Sequence, residues 1–225
     1  MVSQQKRAPR SRDRLLAAAA AEFAARGFDG AKVDRIAARA RVNKAMIYYH
    51  FGSKARLYRE ILLGVFTAIA DAVATGVTDG TPEGRLGQFI RAVADHVTVQ
   101  PRFAAMWLRE MADGGVHIDE AILAELRRVL GVLGDLIEQG HHEGRFQAAH
   151  PLITQLGIVA PILFFAASAP VRQRVARKGD KLAVPRPDDL LRHIEVATLG
   201  ALRVPATAAG DPAGGSLPTV RRQRR

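Results

Sequence analysis

The chain has 225 residues, with 33 Lys and Arg against 22 Asp and Glu, a formal charge of +11, 48% hydrophobic residues and no cysteine. This is the balance of a soluble globular protein long enough for one or two domains with a real core. The lack of cysteine excludes a disulfide framework, a thiol nucleophile and a cysteine-ligated zinc site.

The opening MVSQQKRAPRSRDR has no apolar core of the signal-peptide kind. The most apolar run, 156–171, is short for a membrane span and contains Pro161 and Pro170. The expectation is a cytoplasmic protein without a membrane partner. Charge is uneven along the chain. Residues 1–60 hold 14 Lys and Arg against 5 Asp and Glu, a balance of +9, whereas residues 61–200 hold 14 against 16 and residues 201–225 hold 5 against 1. A basic segment joined to a near-neutral body suggests a polyanion-binding module on a second domain.

In chain order, residues 1–10 read as a mobile basic arm. Ser11 can cap a helix carrying Leu15, Leu16, Ala19 and Phe23 at helical spacing, with Gly27 as its stop. Val33, Ile36, Ala37 and Ala40 mark a short second helix. Asn43 caps a third over 44–51, and Ser53 caps a fourth that reaches about Val73. Thr81-Pro82 opens another, and a segment from Pro101 ends at Gly114-Gly115. A long amphipathic helix is expected from Asp119 to Gln139, stopped by Gly140. An apolar helix then runs from Pro151 through Pro161, followed by a charged loop at 178–187 and a last helix from Pro187. No stretch alternates as a strand would. The reading is all-α, about nine helices. Residues 204–225, rich in Gly, Pro and Ala and ending RRQRR, read as a disordered basic tail.

Two short helices joined by Arg41-Val42-Asn43 sit inside the +9 segment, which is helix-turn-helix spacing. Along 44–51, a period of 3.6 residues turns Ile47 and Phe51 inward and Ala45 and Tyr49 outward, flanked by Met46 and Tyr48. Exposed phenols suit phosphate and sugar contacts better than plain solvent.

The stretch GFDGAKVDRIAARARVNKAMIYYHFGSKARLY resembles the TetR/AcrR-type repressor signature. Gly27, Phe28, Ile36-Ala37, Ala40, Val42, the run Tyr48-Tyr49-His50-Phe51, Lys54 and Leu57 match, and the spacing from Ile36-Ala37 through Phe51 to Lys54 is held without a gap. The resemblance covers about residues 11–58. It implies that Lys44, Ala45 and Met46 approach base edges or the adjoining backbone, that Tyr48, Tyr49 and His50 contact phosphates, and that Lys54 meets another phosphate at a helix N-terminus. Three features depart from the pattern, the last of them a pair of residues. Lys32 replaces the usual Ser or Thr cap and brings a phosphate-directed charge. Arg41 stands where glycine is usual, at a cost of about 1 kcal/mol if its backbone is left-handed, and its side chain can reach DNA. Ala45-Met46 replaces a pair that is often Gly-Thr, so Met46 offers an apolar contact such as a thymine methyl would take.

Beyond the motif, Phe66, Phe89, Val93, Phe103, Met106, Trp107 and Leu133 form aromatic and Met-rich stripes. They read either as plain core or, in the implied architecture, as the wall of an effector cavity. Arg109 and Glu110 read first as a surface pair and second as polar groups at a pocket mouth. The apolar helix of residues 152–167, with Leu156 and Leu163, and the stripe Leu190, Ile194, Ala197 and Ala201 suggest an isologous four-helix dimer interface. His141-His142-Glu143 is a poor chelate, because adjacent helical residues diverge by about 100°. No metal site, cofactor or catalytic motif is expected, and the chain is not expected to be an enzyme.

The domain reading is an arm at 1–10, a DNA-binding module at 11–55, an effector-binding and dimerisation domain at 56–203 and a tail at 204–225. The function reading is a ligand-responsive regulator, a repressor released from double-stranded operator DNA by a small apolar or amphipathic effector and working as a homodimer. The alternatives are an all-α ligand-binding protein or enzyme with an incidental helix-turn-helix, and a nonspecific DNA-binding protein.

Overall fold

The computed structural model describes residues 11–176 and 185–204. The expected arm, with Arg7 and Arg10, the tail beyond Val204 and most of the expected loop at 178–187 lie outside the described residues. Ten helices follow one another: α1 (Ser11–Gly30), α2 (Val33–Ala40), α3 (Ala45–Phe51), α4 (Lys54–Gly76), α5 (Pro82–Thr98), α6 (Pro101–Ala112), α7 (Glu120–His142), α8 (Pro151–Ala167), α9 (Ala169–Ala176) and α10 (Pro187–Leu202). There is no strand among the described residues, and one isolated bridge joins Phe146 to Arg203.

The helix starts follow local chemistry. Ser53 Oγ accepts from Arg56 N at 3.1 Å, Thr81 Oγ1 from Gly84 N at 3.2 Å and Asp119 Oδ1 from Ile122 N at 3.2 Å. Each cap satisfies one amide that the first turn leaves without a partner. Pro82, Pro101, Pro151 and Pro187 all occupy first-turn positions, where a missing N–H costs nothing.

Two boundaries in the C-terminal half differ from expectation. Helix α7 runs past Gly140 to His142, and Gly144, at φ 67, takes the left-handed position that follows its end. Gly140 serves packing instead. The Phe146 ring returns so closely that a Cβ on Gly140 would stand 2.2 Å from its Cδ2. The apolar segment after Pro161 bends by 60° into the separate helix α9, giving ten helices rather than nine. No single helix among the described residues is long and apolar enough to cross a membrane.

Helices α1, α2 and α3 pack into a small N-terminal unit around Leu15, Phe23, Ile36, Ala40, Ile47 and Phe51, all buried. Helix α4 leaves this unit and packs on α5 and α7. Helices α5, α8 and α10 pack together at the far side, while α6 reaches back to α1. One apolar core runs through both regions. The N-terminal unit is therefore attached at two places, through α4 by chain continuity and packing on α1 and α3, and through α6 by packing on α1.

Candidate nucleic-acid interface

The reading module is built on small residues. Ala37 and Ala40 of α2 are buried, which lets α2 lie close to α1. Arg41 then reverses the chain at φ 55 and ψ 47, and its N–H returns to the last carbonyls of α2. It is the one non-glycine residue with positive φ among the described residues. The glycine-like position therefore holds an arginine whose side chain is exposed. Lys32 precedes α2 in extended conformation without a side-chain cap bond, as expected once Ser or Thr is replaced.

Asn43 organises the entry to α3. Its Oδ1 accepts from Ala45 N at 2.9 Å and its backbone oxygen accepts from Met46 N at 2.9 Å. The helix begins at Ala45, one residue later than expected, although Lys44 already has helical dihedrals. Ile47 and Phe51 point into the core, at 0% and 5% exposure. Tyr49 stands out at 80% exposure and Tyr48 is half-exposed. Ala45 is exposed too, whereas Met46 is half-buried and packs against the core. The outward face of α3 thus presents a small residue and two phenols.

The cations beside this face are held loosely. Lys44 Nζ lies 3.0 Å from Asp34 Oδ1, both side chains being mostly exposed. The Asp34 hydrogen bond, followed by its charge, raises the Lys44 ammonium above the ordinary lysine range. Such a pair stabilises little and can yield to a phosphate. His50 Nε2 lies 3.2 Å from Ser11 Oγ, joining α3 to the start of α1. Lys54, at the first position of α4, lies over the Phe28 ring at 4.5 Å from its centroid and donates to Asp29 O at 3.4 Å.

Phe28 is the first member of a junction that sequence reasoning missed. Helix α1 breaks at Gly27, at φ 70, leaving its last carbonyls without intrahelical partners. Arg109 of α6 supplies them. Its Nη1 donates to Phe23 O at 3.3 Å and to Ala24 O. Its charge also suits a helix C-terminus. The neighbouring Glu110 is buried, at 2% exposure, so the pair is not the surface pair expected. The Glu110 carboxylate accepts from His117 N at 2.7 Å and lies 3.1 Å from His117 Nδ1. The imidazole in turn packs on Phe28 at 4.0 Å and Tyr58 at 5.0 Å between centroids. Burial first, then the charge and hydrogen bond of Glu110, push the Tyr58 phenol far above its ordinary range. Lys54, Phe28, His117 and Glu110 form a continuous contact from the start of α4 to the end of α6.

A second tie closes the module on itself. Glu22 of α1 accepts from Arg35 Nε of α2 at 2.5 Å, with Arg26 Nε at 3.4 Å. Burial pushes its carboxyl up. The Arg35 hydrogen bond, the Lys32 amide and the charges of Arg35 and Arg26 outweigh this and hold it below the ordinary glutamate range.

Two family models match. Bacterial regulatory proteins of the tetR family match residues 15–61, and the tetracyclin repressor-like C-terminal domain matches residues 79–162. The transcriptional repressor NicS of Pseudomonas putida is 32% identical over 143 residues, which cover 62% of this chain and 68% of that protein. The chain belongs to the tetR family. It is a DNA-binding, ligand-responsive transcriptional regulator. The repressor SCO4008 of Streptomyces coelicolor is 51% identical over 49 residues, which cover 22% of this chain and 26% of that protein. A tetR-family protein from Rhodococcus RHA1 has the same fold, with a TM-score of 0.71 at 18% identity over 87% of this chain and 98% of that one.

In this tetR-family chain the expected effector residues divide. Phe66, Phe89, Val93, Phe103, Met106 and Leu133 are all buried, and Trp107 is half-buried. Phe66, Phe103 and Trp107 form an aromatic group, with Phe66 4.7 Å from Trp107. Phe103 and Met106 line a cavity of about 380 Å³ together with Ile61, Val65 and Val99, three residues the sequence reading did not include.

The expected interface residues divide as well. Leu163 and Ile194 lie in the protomer's own core, at 4% and 3% exposure, because α8 and α10 bury those faces against α5 and α6. Leu190 is half-buried, whereas Leu156, Ala197 and Ala201 are exposed. Ile153 at 70%, Phe164 at 69% and Val196 at 66% exposure extend this outer apolar face, and spacing alone did not single them out.

Proposed function

We propose that this chain is a homodimeric repressor whose α3 helices read operator DNA and whose helical domain releases it on binding a small apolar or amphipathic effector. The observation that carries the reading is the outward face of α3. Tyr49 is 80% exposed on a seven-residue helix otherwise anchored by Ile47 and Phe51. The repressor names of the Pseudomonas and Streptomyces relatives support the sign of regulation. Ala45 and Met46 are assigned to bases, and Met46 offers only its outer edge. Lys32, Arg41, Lys44, Tyr48, Tyr49, His50 and Lys54 are assigned to the backbone, which fixes register without reading sequence. The working division is 11–55 for DNA and 56–203 for effector and dimer, with α4 shared between them.

The dimer is assigned to the exposed strip of Ile153, Leu156 and Phe164 on α8 and Val196, Ala197 and Ala201 on α10. Such a strip is self-complementary across a two-fold axis. The axis would set two α3 helices about 34 Å apart, on successive major-groove faces of a near-palindrome. The junction from Glu110 to Lys54 gives the effector domain a mechanical hold on one of the phosphate-directed cations. An effector acts through it only by favouring one arrangement of α6 over the other.

Footprinting on the promoter region beside the protein's own coding sequence tests this reading. The expected result is two protected half-sites about 10 bp apart, preferred over random DNA by about 10³ or more. Uniform coverage of any duplex would make the protein a nonspecific binder. Leu156→Asp should give monomers in sedimentation and lose the footprint. A variant that stays dimeric would move the interface elsewhere.

A further inference from the structure

The α1–α6 junction carries a feature that the regulator reading uses only at Arg41. A depression of about 440 Å³ opens between α1, α2 and α6, floored by Ala17, Ala18, Ala21 and Ala40. Four arginines surround it: Arg14 of α1, Arg39 of α2, Arg41 of the turn and Arg102 of α6. All four are exposed, and none is paired with a carboxylate among the described residues. Ala17 and Arg102 also line the 380 Å³ cavity of Phe103 and Met106, so the two spaces adjoin. The second space is apolar, with Ile61 and Val65 of α4 on one wall and Val99, 74% exposed, at its edge.

We infer that the two spaces form one binding site for a small amphipathic anion, its head among the four arginines and its apolar body between Val65, Phe103 and Met106. Four guanidinium groups around an alanine floor lack the negative partner that their mutual repulsion calls for. A carboxylate or phosphate monoester supplies it with charge-assisted, bidentate hydrogen bonds. DNA phosphate would account for the arginines of α1 and α2. It would not account for Arg102, which comes from the effector domain, or for the mainly apolar space that adjoins the charges through Ala17 and Arg102. The combined size suits a drug-sized ligand. The backbone of Arg41 supports the assignment. A left-handed position that glycine would fill without strain holds a side chain at the rim of this depression. The site touches α1, α2, α4 and α6, so an occupant would wedge the reading module against both of its attachments. This deepens the repressor reading by naming the effector class, and its consequence for DNA rests on that reading.

The test uses the full-length protein with decanoate, decyl phosphate, decanol and inorganic phosphate as probes, each below its aggregation concentration. Trp107 is the one tryptophan, and its ring is stacked 6.3 Å from Phe103. Its emission reports the chamber whether or not DNA is present. At least one of the two decyl anions should perturb Trp107, and which one does so names the head group. Decanol and inorganic phosphate should bind at least tenfold more weakly. Arg14→Gln with Arg102→Gln should weaken that anion at least tenfold and leave decanol unchanged. Ala17→Leu, which narrows the passage in a helix-favouring way, should weaken both decyl anions and decanol. Equal binding of decanol and the anions would overturn the inference, as would no binding of either anion. So would a double variant that loses DNA affinity but keeps its anion affinity, which would make these arginines phosphate contacts. Failure of the repressor reading is separable, since it would appear as absent operator binding with the Trp107 response intact.

Discussion

The reading module and the effector domain solve opposite problems with the same kind of helix. In α2 and α3, 15 residues between them, three inward residues in the first and two in the second suffice to fix the backbone, so the rest of the surface is free for recognition. In α4 to α7 most of the large side chains are turned inward and packing takes up the apolar surface, whereas α8 leaves Ile153, Leu156 and Phe164 outside. The first region tolerates change at its exposed face and depends on a few contacts beneath it. The second tolerates little change inside, and its function lies where packing leaves gaps. The two regions meet at the junction of Gly27, Arg109, Glu110 and His117, where helix-end chemistry and a buried carboxylate hold them together.

Substitutions at and around that junction separate the two regions. The largest effect is expected at Phe23, fully buried and packed 4.9 Å from Tyr58 and 6.0 Å from Phe28. Phe23→Ala should cost about 3–5 kcal/mol in urea denaturation, because both regions lose a shared anchor. Glu110→Ala comes next, at about 1–3 kcal/mol, since it strands the His117 amide. It should also weaken effector release of DNA more than it weakens DNA binding itself, read by mobility shift with and without effector. An unchanged release would break the proposed connection from α6 to Lys54.

Smaller effects belong to the module alone. Glu22→Gln should cost about 1 kcal/mol. The Glu22 carboxyl is held below its ordinary value in the fold. Its contribution is therefore complete above the unfolded glutamate range, near 4.5, and is lost as the pH falls through the lower folded value. The gap in melting temperature between wild type and Glu22→Gln should close on acidification. Arg41→Gly should move the other way, gaining up to about 1 kcal/mol by relieving the left-handed backbone.

Much of the module was legible in the sequence, for physical reasons. The helical spacing of Val33, Ile36, Ala37 and Ala40 fixed α2 to the residue, because a short helix buried on one face has one workable phase. The start of α3 is displaced by one residue because Asn43 Oδ1 takes the amide of Ala45, and Lys44, although helical in its dihedrals, occupies the N-cap position. The effector domain was legible in kind and misleading in detail. Hydrophobic periodicity finds the stripe that packs inside, so it selected Leu163 and Ile194 for an interface when the outer face holds Ile153, Phe164 and Val196. Glu110 looked like a surface charge because a carboxylate beside an arginine usually is one, and its partner His117 lies beyond a double-glycine turn that periodicity cannot follow. Gly140 read as a stop because close packing by a ring six residues later leaves no trace in local pattern.

The claim that recognition sits on α3 apart from stability is tested most directly at Tyr49. Tyr49→Ala should be measured in parallel by urea denaturation and by titration of the footprinted operator against random DNA. The expected result is stability within about 0.5 kcal/mol of wild type, as for an exposed side chain, together with at least a tenfold loss of operator affinity. Unchanged operator affinity would contradict the account, and so would a loss of affinity that merely follows a loss of folding.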